Sequence, residues 1–177
     1  MPRSSHADQP AAPIPHGLGE DAEKYLRGLR KPYDEESMML GLQLVRAGNS
    51  FIAASEKKVH RPRGLRWAGF SVMFTLLVYG RLEARSIARL TGVSRQAVST
   101  VLATLQRDGN VERQEADAAD RRLVPVTLSA QGEERATDVL DDQLELSHRW
   151  FSVLSRAEQR EFARLLGKVI GANRAQR

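Results

Sequence analysis

Apolar residues recur three and four positions apart along most of this chain, the period of helices with one buried side. After Asp34, a candidate N-cap, Met38, Leu42, Val45, Phe51, Ile52 and Val59 keep that spacing and predict a long helix. It should break at "HRPRG", where Pro62 and Gly64 stand close together. Residues 66–79 read as a buried helix stopped by Gly80. Upstream, "EDAEKYLRGLR" (20–30) places acids first and bases last, which suits a helix dipole, and Lys31-Pro32 should end it. Beyond Ser129, another candidate cap, a long helix runs to about Leu154. Ser155 and Glu158 then form a capping box for a last helix, with Phe162, Leu165, Leu166, Val169 and Ile170 along one side.

The middle of the chain breaks into shorter pieces. A first helix with Ile87, Ala88 and Leu90 buried stops at "TGV", where Gly92 can take the left-handed conformation of a tight turn. Val93 is expected to pack between this helix and the next, and Ser94 to cap the second. In that second helix Ala97, Val98, Val101, Leu102 and Leu105 form an apolar stripe. The opposite face holds Arg95, Gln96, Ser99, Thr100 and Thr104, with no acid before Asp108. Arginine matches guanine O6 and N7, glutamine matches adenine, and hydroxyls serve either way, so this is the face of a recognition helix in a DNA major groove.

Next, "VERQ" and "LVPVTL" predict two short strands joined by "EADAAD" and the pair Arg121 and Arg122. A hairpin directly after a recognition helix is a wing, whose arginines can enter the electronegative minor groove. Asp120 is placed to brace one guanidinium. Pro125, without an N–H, calls for an edge position. A solvated hairpin with incidental arginines is the other reading.

The run "IARLTGVSRQAVSTVLATLQRDGNVERQ…DRRLVPVTLSAQG" resembles the winged helix-turn-helix of the MarR family of transcriptional regulators. The likeness rests on "TGVSRQAVS…L…L…DGNVER" and on a wing pattern of Asp-x-Arg, a strand, and Leu-Ser-x-x-Gly, here Asp120, Arg122, Leu128, Ser129 and Gly132. It is specific over about 84–132, and the flanking helices agree in order and length. The resemblance implies a homodimer of intertwined N- and C-terminal helices, one winged domain per DNA half-site, and a small ligand that weakens DNA affinity. Three departures stand out. Asn110 occupies a usually apolar position, which predicts a looser start to the first wing strand. The N-terminal extension is longer than in a minimal member, with room for extra dimer surface or DNA contact. Ser71 stands where the urate-responsive subgroup has a carboxylate, which argues against urate.

The 177 residues suit one domain with dimerisation extensions, divided as a disordered tail (1–18), N-terminal dimerisation helices (19–62), the winged domain (63–132) and C-terminal dimerisation helices (133–177). Four of the seven prolines fall in the first 19 residues, hence the expected tail. A net charge of +5 leans mildly toward anionic partners. The longest apolar run, 13 residues, is short of the roughly 20 a membrane span needs, and nothing near the start resembles a secretory signal. With no cysteine, disulfides, thiolate metal sites and thiol-based peroxide sensing are excluded. The expected compartment is the cytoplasm, with no membrane partner.

His6, His16, His60 and His148 form no ligand set, and no cofactor or metal is expected. "KKVHRPRGLR" (57–66) reads either as a phosphate-contacting edge or as a solvated junction. Met38, Met39, Trp67, Phe70 and Phe74 are candidates for a ligand pocket, against a plain core. "DDQLE" (141–145) reads as a solvated helix face. No catalytic triad, Gly-rich phosphate loop or paired catalytic carboxylates can be assembled, so no enzyme is expected.

The expected fold is therefore mainly α: a winged helix-turn-helix with a small β-hairpin wing, flanked by N- and C-terminal dimerisation helices. The expected function is sequence-specific DNA binding that regulates transcription. It takes the form of a homodimeric repressor released by a small ligand and bound to a pseudo-palindromic operator on double-stranded DNA. The expected DNA contacts are Ser94, Arg95, Gln96, Ser99, Thr100, Thr104, Arg121 and Arg122. A winged-helix protein-interaction module and a non-specific DNA-binding protein are the alternatives.

Overall fold

The structure, a computed structural model, describes residues 24–25, 28, 34–113 and 124–174. The chain divides into two compact units, Met1–Ser50 and Phe51–Arg177. In the first, the Asp34 carboxylate accepts bonds from the Ser37 N–H (3.0 Å) and hydroxyl (2.6 Å), which hold its carboxyl below the usual range. This cap starts α1, Glu35–Ser55, as the sequence predicts. The expected tail and most of the expected helix at 20–30 lie outside the described residues.

The second unit begins with the end of α1 and shows how the expected break is made. The chain widens into a π-type turn at Glu56–His60 and tightens into a 3-10 turn at Arg61–Arg63, and Gly64 stops it with φ 66°. Then come α2 (Trp67–Tyr79), α3 (Ala84–Thr91), α4 (Arg95–Arg107), β1 (Val111–Arg113), β2 (Val126–Leu128), α5 (Ala130–Phe151) and α6 (Arg156–Arg174). Strands β1 and β2 pair antiparallel, with Val111 opposite Leu128 and Arg113 opposite Val126. On its other side Val126 exchanges two backbone bonds with Leu82, at 3.0 and 2.8 Å. So β2 is flanked on both sides at Val126, contrary to the edge position expected for Pro125. The proline escapes the ladder by standing one residue ahead of the strand.

The core gathers one side of each element. Met73 and Leu76 of α2, Ile87 of α3, Val98, Leu102 and Leu105 of α4, Val126 of β2 and Val139 of α5 are all buried together. Two expectations about the surface are overturned. Val93, expected between the helices, is 40% exposed. Residues 141–145 are not wholly solvated. Gln143 is buried, donating to Ser55 Oγ (3.3 Å) and Ser147 Oγ (3.2 Å), and Asp142 pairs with Arg63 at 2.6 Å.

His60 was expected in a basic surface run, yet it is fully buried. Its ring stacks on Phe70 (centroids 4.7 Å apart) and meets Trp67 edge-on at 5.6 Å. Neither ring nitrogen finds a hydrogen-bond partner among the described residues. Burial pushes its pKa down, against weaker upward pulls from the Glu56 charge and the Gln143 side chain.

The wing is fastened to α5 by one junction. Ser129 caps α5 by accepting the Gly132 N–H (3.0 Å) while its hydroxyl donates to the Gly109 carbonyl (2.6 Å). The Ser129 N–H donates to the Asn110 carbonyl at 3.1 Å. Arg135 then donates to Asn110 Oδ1 (3.3 Å) and to the Arg63 carbonyl (2.8 Å), so three segments share one guanidinium. Asn110 is fully buried, with its own N–H bonded to Leu105 at 2.8 Å. The looser strand start expected from its polarity is not found, because each of its polar groups has a partner.

A Cβ on Gly132 would lie 1.9 Å from the Asn110 carbonyl oxygen, so only glycine fits. Gly132→Ala should therefore cost about 3 kcal/mol or more, measured as a lowered urea midpoint; an unchanged midpoint would refute the junction. The second prediction concerns pH. The unfolded chain protonates a histidine near pH 6.5, whereas buried His60 resists, so stability present above that pH is lost as pH falls. Between pH 7.5 and 5.5, wild-type stability should fall by up to about 1.4 kcal/mol per pH unit. The His60→Leu variant should show a flatter slope over the same range.

Candidate DNA-binding face and ligand groove

The turn between α3 and α4 is set by two residues. Gly92 takes φ 74° as the C-cap of α3, and Ser94, extended at ψ 150°, accepts the Ala97 N–H at 3.2 Å. Inward, Val98, Leu102 and Leu105 seat α4 in the core, with Ala97 and Val101 half-buried. Outward, Ser94, Arg95, Gln96, Ser99, Thr100 and Thr104 are all exposed, so the structure brings these six expected contacts onto one surface. No acidic residue lies within α4. Arg107, in its last turn, is paired with Asp108 at 3.1 Å. Positive charge and hydrogen-bonding groups thus concentrate toward the N-terminal end of α4, where the helix dipole also favours anions.

The expected wing contacts Arg121 and Arg122, and the expected brace Asp120, lie outside the described residues. The strands that carry them there are held, through Val126 and Leu82, to the start of α3 and, through Ser129 and Asn110, to α5.

The basic run at 57–66 is largely engaged internally. Glu56 is its hub, accepting the Trp67 N–H (2.6 Å) at the start of α2 and the Arg61 Nε–H (3.2 Å), with Arg66 at 3.9 Å. Burial pushes the Glu56 carboxyl up, but these partners together hold it below its ordinary value. Arg63 is taken by Asp142. Lys57 and Lys58 are the cations of this run for which no pairing is found among the described residues. Glu56 stands directly before the basic run in sequence, and nothing local in its position signals the hub that the fold makes of it.

Of the expected pocket residues, Trp67, Phe70 and Phe74 form a chain of rings with centroids 6.2 and 5.9 Å apart. Phe70 is core, and Trp67 packs edge-on to Phe51. Met38 is exposed and belongs to the first unit. Phe74 alone of the five lines a groove of about 510 Å³ between α2 and α3, with Ser71, Thr75, Val78, Tyr79, Leu90 and Thr91. Thr75 and Thr91 donate their hydroxyls to the Ser71 and Ile87 carbonyls, both at 2.8 Å. The Ser71 and Tyr79 hydroxyls, also on the lining, donate to no group among the described residues. A second cavity of about 380 Å³ lies among Lys58, Leu146, Arg149 and Trp150. No helix among the described residues is long and apolar enough to cross a membrane.

Comparison with known proteins agrees with this geometry. The sequence pattern of the MarR family matches residues 64–123. The HTH-type transcriptional repressor Rv2887 of Mycobacterium tuberculosis is 31% identical over 130 residues, covering 73% of this chain and 92% of its own. The HTH-type transcriptional regulator YwaE of Bacillus subtilis is 29% identical over 134 residues, 76% of this chain and 78% of its own. Among solved structures, BpsR of Bordetella bronchiseptica superposes with a TM-score of 0.68 at 25% identity, over 73% of this chain and 97% of its own. That structure concerns regulation of its DNA binding by 6-hydroxynicotinic acid. Rv2887 has been solved with salicylic acid (TM-score 0.58) and with DNA (TM-score 0.57), each over 73% of this chain and at least 95% of its own. The relatives are regulators of transcription rather than enzymes. With its recognition-type helix, its wing strands and these relatives, the chain belongs to the MarR family of winged helix-turn-helix transcriptional regulators.

Proposed function

We propose that this chain is a transcriptional repressor that binds a pseudo-palindromic operator as a homodimer and is released by a small aromatic effector. The observation that carries the reading is the acid-free, exposed face of α4 beside a wing. Arg95, Gln96, Ser99 and Thr100 read base edges, with Thr104 one turn further on. Ser94 accepts the Ala97 N–H with one lone pair of its hydroxyl and keeps its proton for a phosphate. Arg121 and Arg122 anchor the wing in the minor groove, braced by Asp120.

Homodimerisation is supported by α6, where Phe162, Leu165, Val169 and Ile170 are each 41–51% exposed in the single chain. Such a stripe needs a cover, and a two-fold partner supplies the same stripe in return. In this reading 19–62 and 133–177 are the dimerisation segments, and half-sites lie about one helical turn apart. The effector site is the groove between α2 and α3, whose Phe74, Val78 and Tyr79 suit a flat ring and whose Ser71 and Tyr79 hydroxyls suit a polar substituent. The work is done in the cytoplasm, where the DNA is.

Binding to the DNA upstream of its own gene, compared with a scrambled duplex across a salt series, tests this reading. Tighter, salt-sensitive binding to the upstream DNA is expected; equal binding to both would mean an operator elsewhere or a non-specific binder, and none at low salt an interaction module. Arg95→Ala should relax preference at one base position per half-site, at about 1–3 kcal/mol. Arg122→Ala should instead weaken all duplexes evenly.

A further inference from the structure

The two threonines on the exposed face of α4 differ from its serine in one respect. The Thr100 hydroxyl donates to the Gln96 carbonyl (3.1 Å), and the Thr104 hydroxyl donates to the Thr100 carbonyl (3.2 Å). A hydroxyl has a single proton. With it committed to the helix backbone, neither threonine offers a donor to guanine O6 or N7, to adenine N7 or to thymine O4. What each presents outward is a γ-methyl group and the remaining lone-pair capacity of its oxygen. Ala103, also exposed, lies three residues from Thr100 and beside Thr104, and offers nothing but a methyl. Residues three and four apart share a helix face, so the three methyls form one strip. Toward the N-terminus the face changes character. Among the described residues, the side chains of Arg95, Gln96 and Ser99 make no hydrogen bond and are open to base edges.

We infer that Thr100, Ala103 and Thr104 form a methyl strip that reads thymine C5-methyl groups, so that A·T pairs lie beneath the second half of α4 in each half-site. Thymine is the base that displays a methyl in the major groove, and threonine methyl and alanine are its apolar partners there. The inference rests on the DNA-binding reading above and adds the chemistry of its specificity: polar readout from the first turn and a half, apolar readout after it.

The test replaces thymidine by deoxyuridine, one position at a time, in the duplex that the full chain prefers, and measures affinity for wild type, Thr100→Val and Thr100→Ser. Removing one contacted methyl should weaken binding about fourfold, or roughly sixteenfold when both half-sites are changed. Thr100→Val keeps methyls and discards the hydroxyl, so its affinity should stay sensitive to uracil at the same position. Thr100→Ser keeps the hydroxyl and loses the methyl, so it should bind more weakly and become indifferent to uracil at one position. Affinity unchanged by every uracil, or loss of specific binding in Thr100→Val with retention in Thr100→Ser, would overturn the inference while operator binding stands. If wild type prefers no duplex over scrambled DNA, the DNA-binding reading fails and the inference with it.

Discussion

The structure depends on how closely the backbone of α5 approaches the end of α4. Gly132 lies against the Asn110 carbonyl so tightly that no side chain fits between them. That approach lets Ser129 bond backward to Gly109 and Asn110 and forward to Gly132, closing the wing's two strands at their base. Arg135, one turn along α5, extends the same contact to the carbonyls of Arg63 and Gly64 just ahead of α2. The end of α4, the base of the wing and the connection toward α1 are therefore referenced to one short stretch of α5. The surface ion pair of Arg63 and Asp142 adds little by itself, about 0–1 kcal/mol, but it lies on the same seam.

A second constraint comes from charge. Five basic residues in ten would repel one another if all stood free, yet Glu56 and Asp142 take up three of them. Glu56 does this while capping the start of α2, so the carboxylate that neutralises the turn also fixes where the next helix begins. Behind it His60 is held neutral between aromatic rings. The turn at 56–64 is thus a packed joint rather than a linker, and its polarity in sequence conceals its burial.

What could be read in advance follows from whether the cause is local. Gly92 and Ser94 announce the turn and the cap because a left-handed residue and a hydroxyl act within three positions of themselves. The stripe of Val98, Leu102 and Leu105 likewise declares its own inner face, and with it the exposed one. Ser155 and Glu158 form their capping box as spelled, with bonds of 2.7 and 3.3 Å. Asn110, His60 and Gln143 were misjudged for one shared reason. Each is a polar residue whose burial is made tolerable by partners 25 to 88 positions away, or by rings that only the fold assembles. Val93 failed in the opposite sense, since an apolar residue in a three-residue turn has no periodicity to declare which way it faces. The groove between α2 and α3 is only half legible: Phe74 stands on its wall, while its Leu90 and Thr91 side comes from a helix that spacing alone does not bring near.

The double-sided pairing of Val126 separates two kinds of freedom within the wing. Everything from Val126 onward is committed to Leu82 on one flank, β1 on the other and the α5 cap beyond. The bonds that fix β2 and the α5 cap are made by Leu82, Val126, Gly109, Asn110, Ser129 and Gly132, so this base is defined without reference to the residues that connect Arg113 to Val124 in sequence. The base depends on the close approach at Gly132 and on the Ser129 cap, so a transplanted wing would need its recipient's junction left intact.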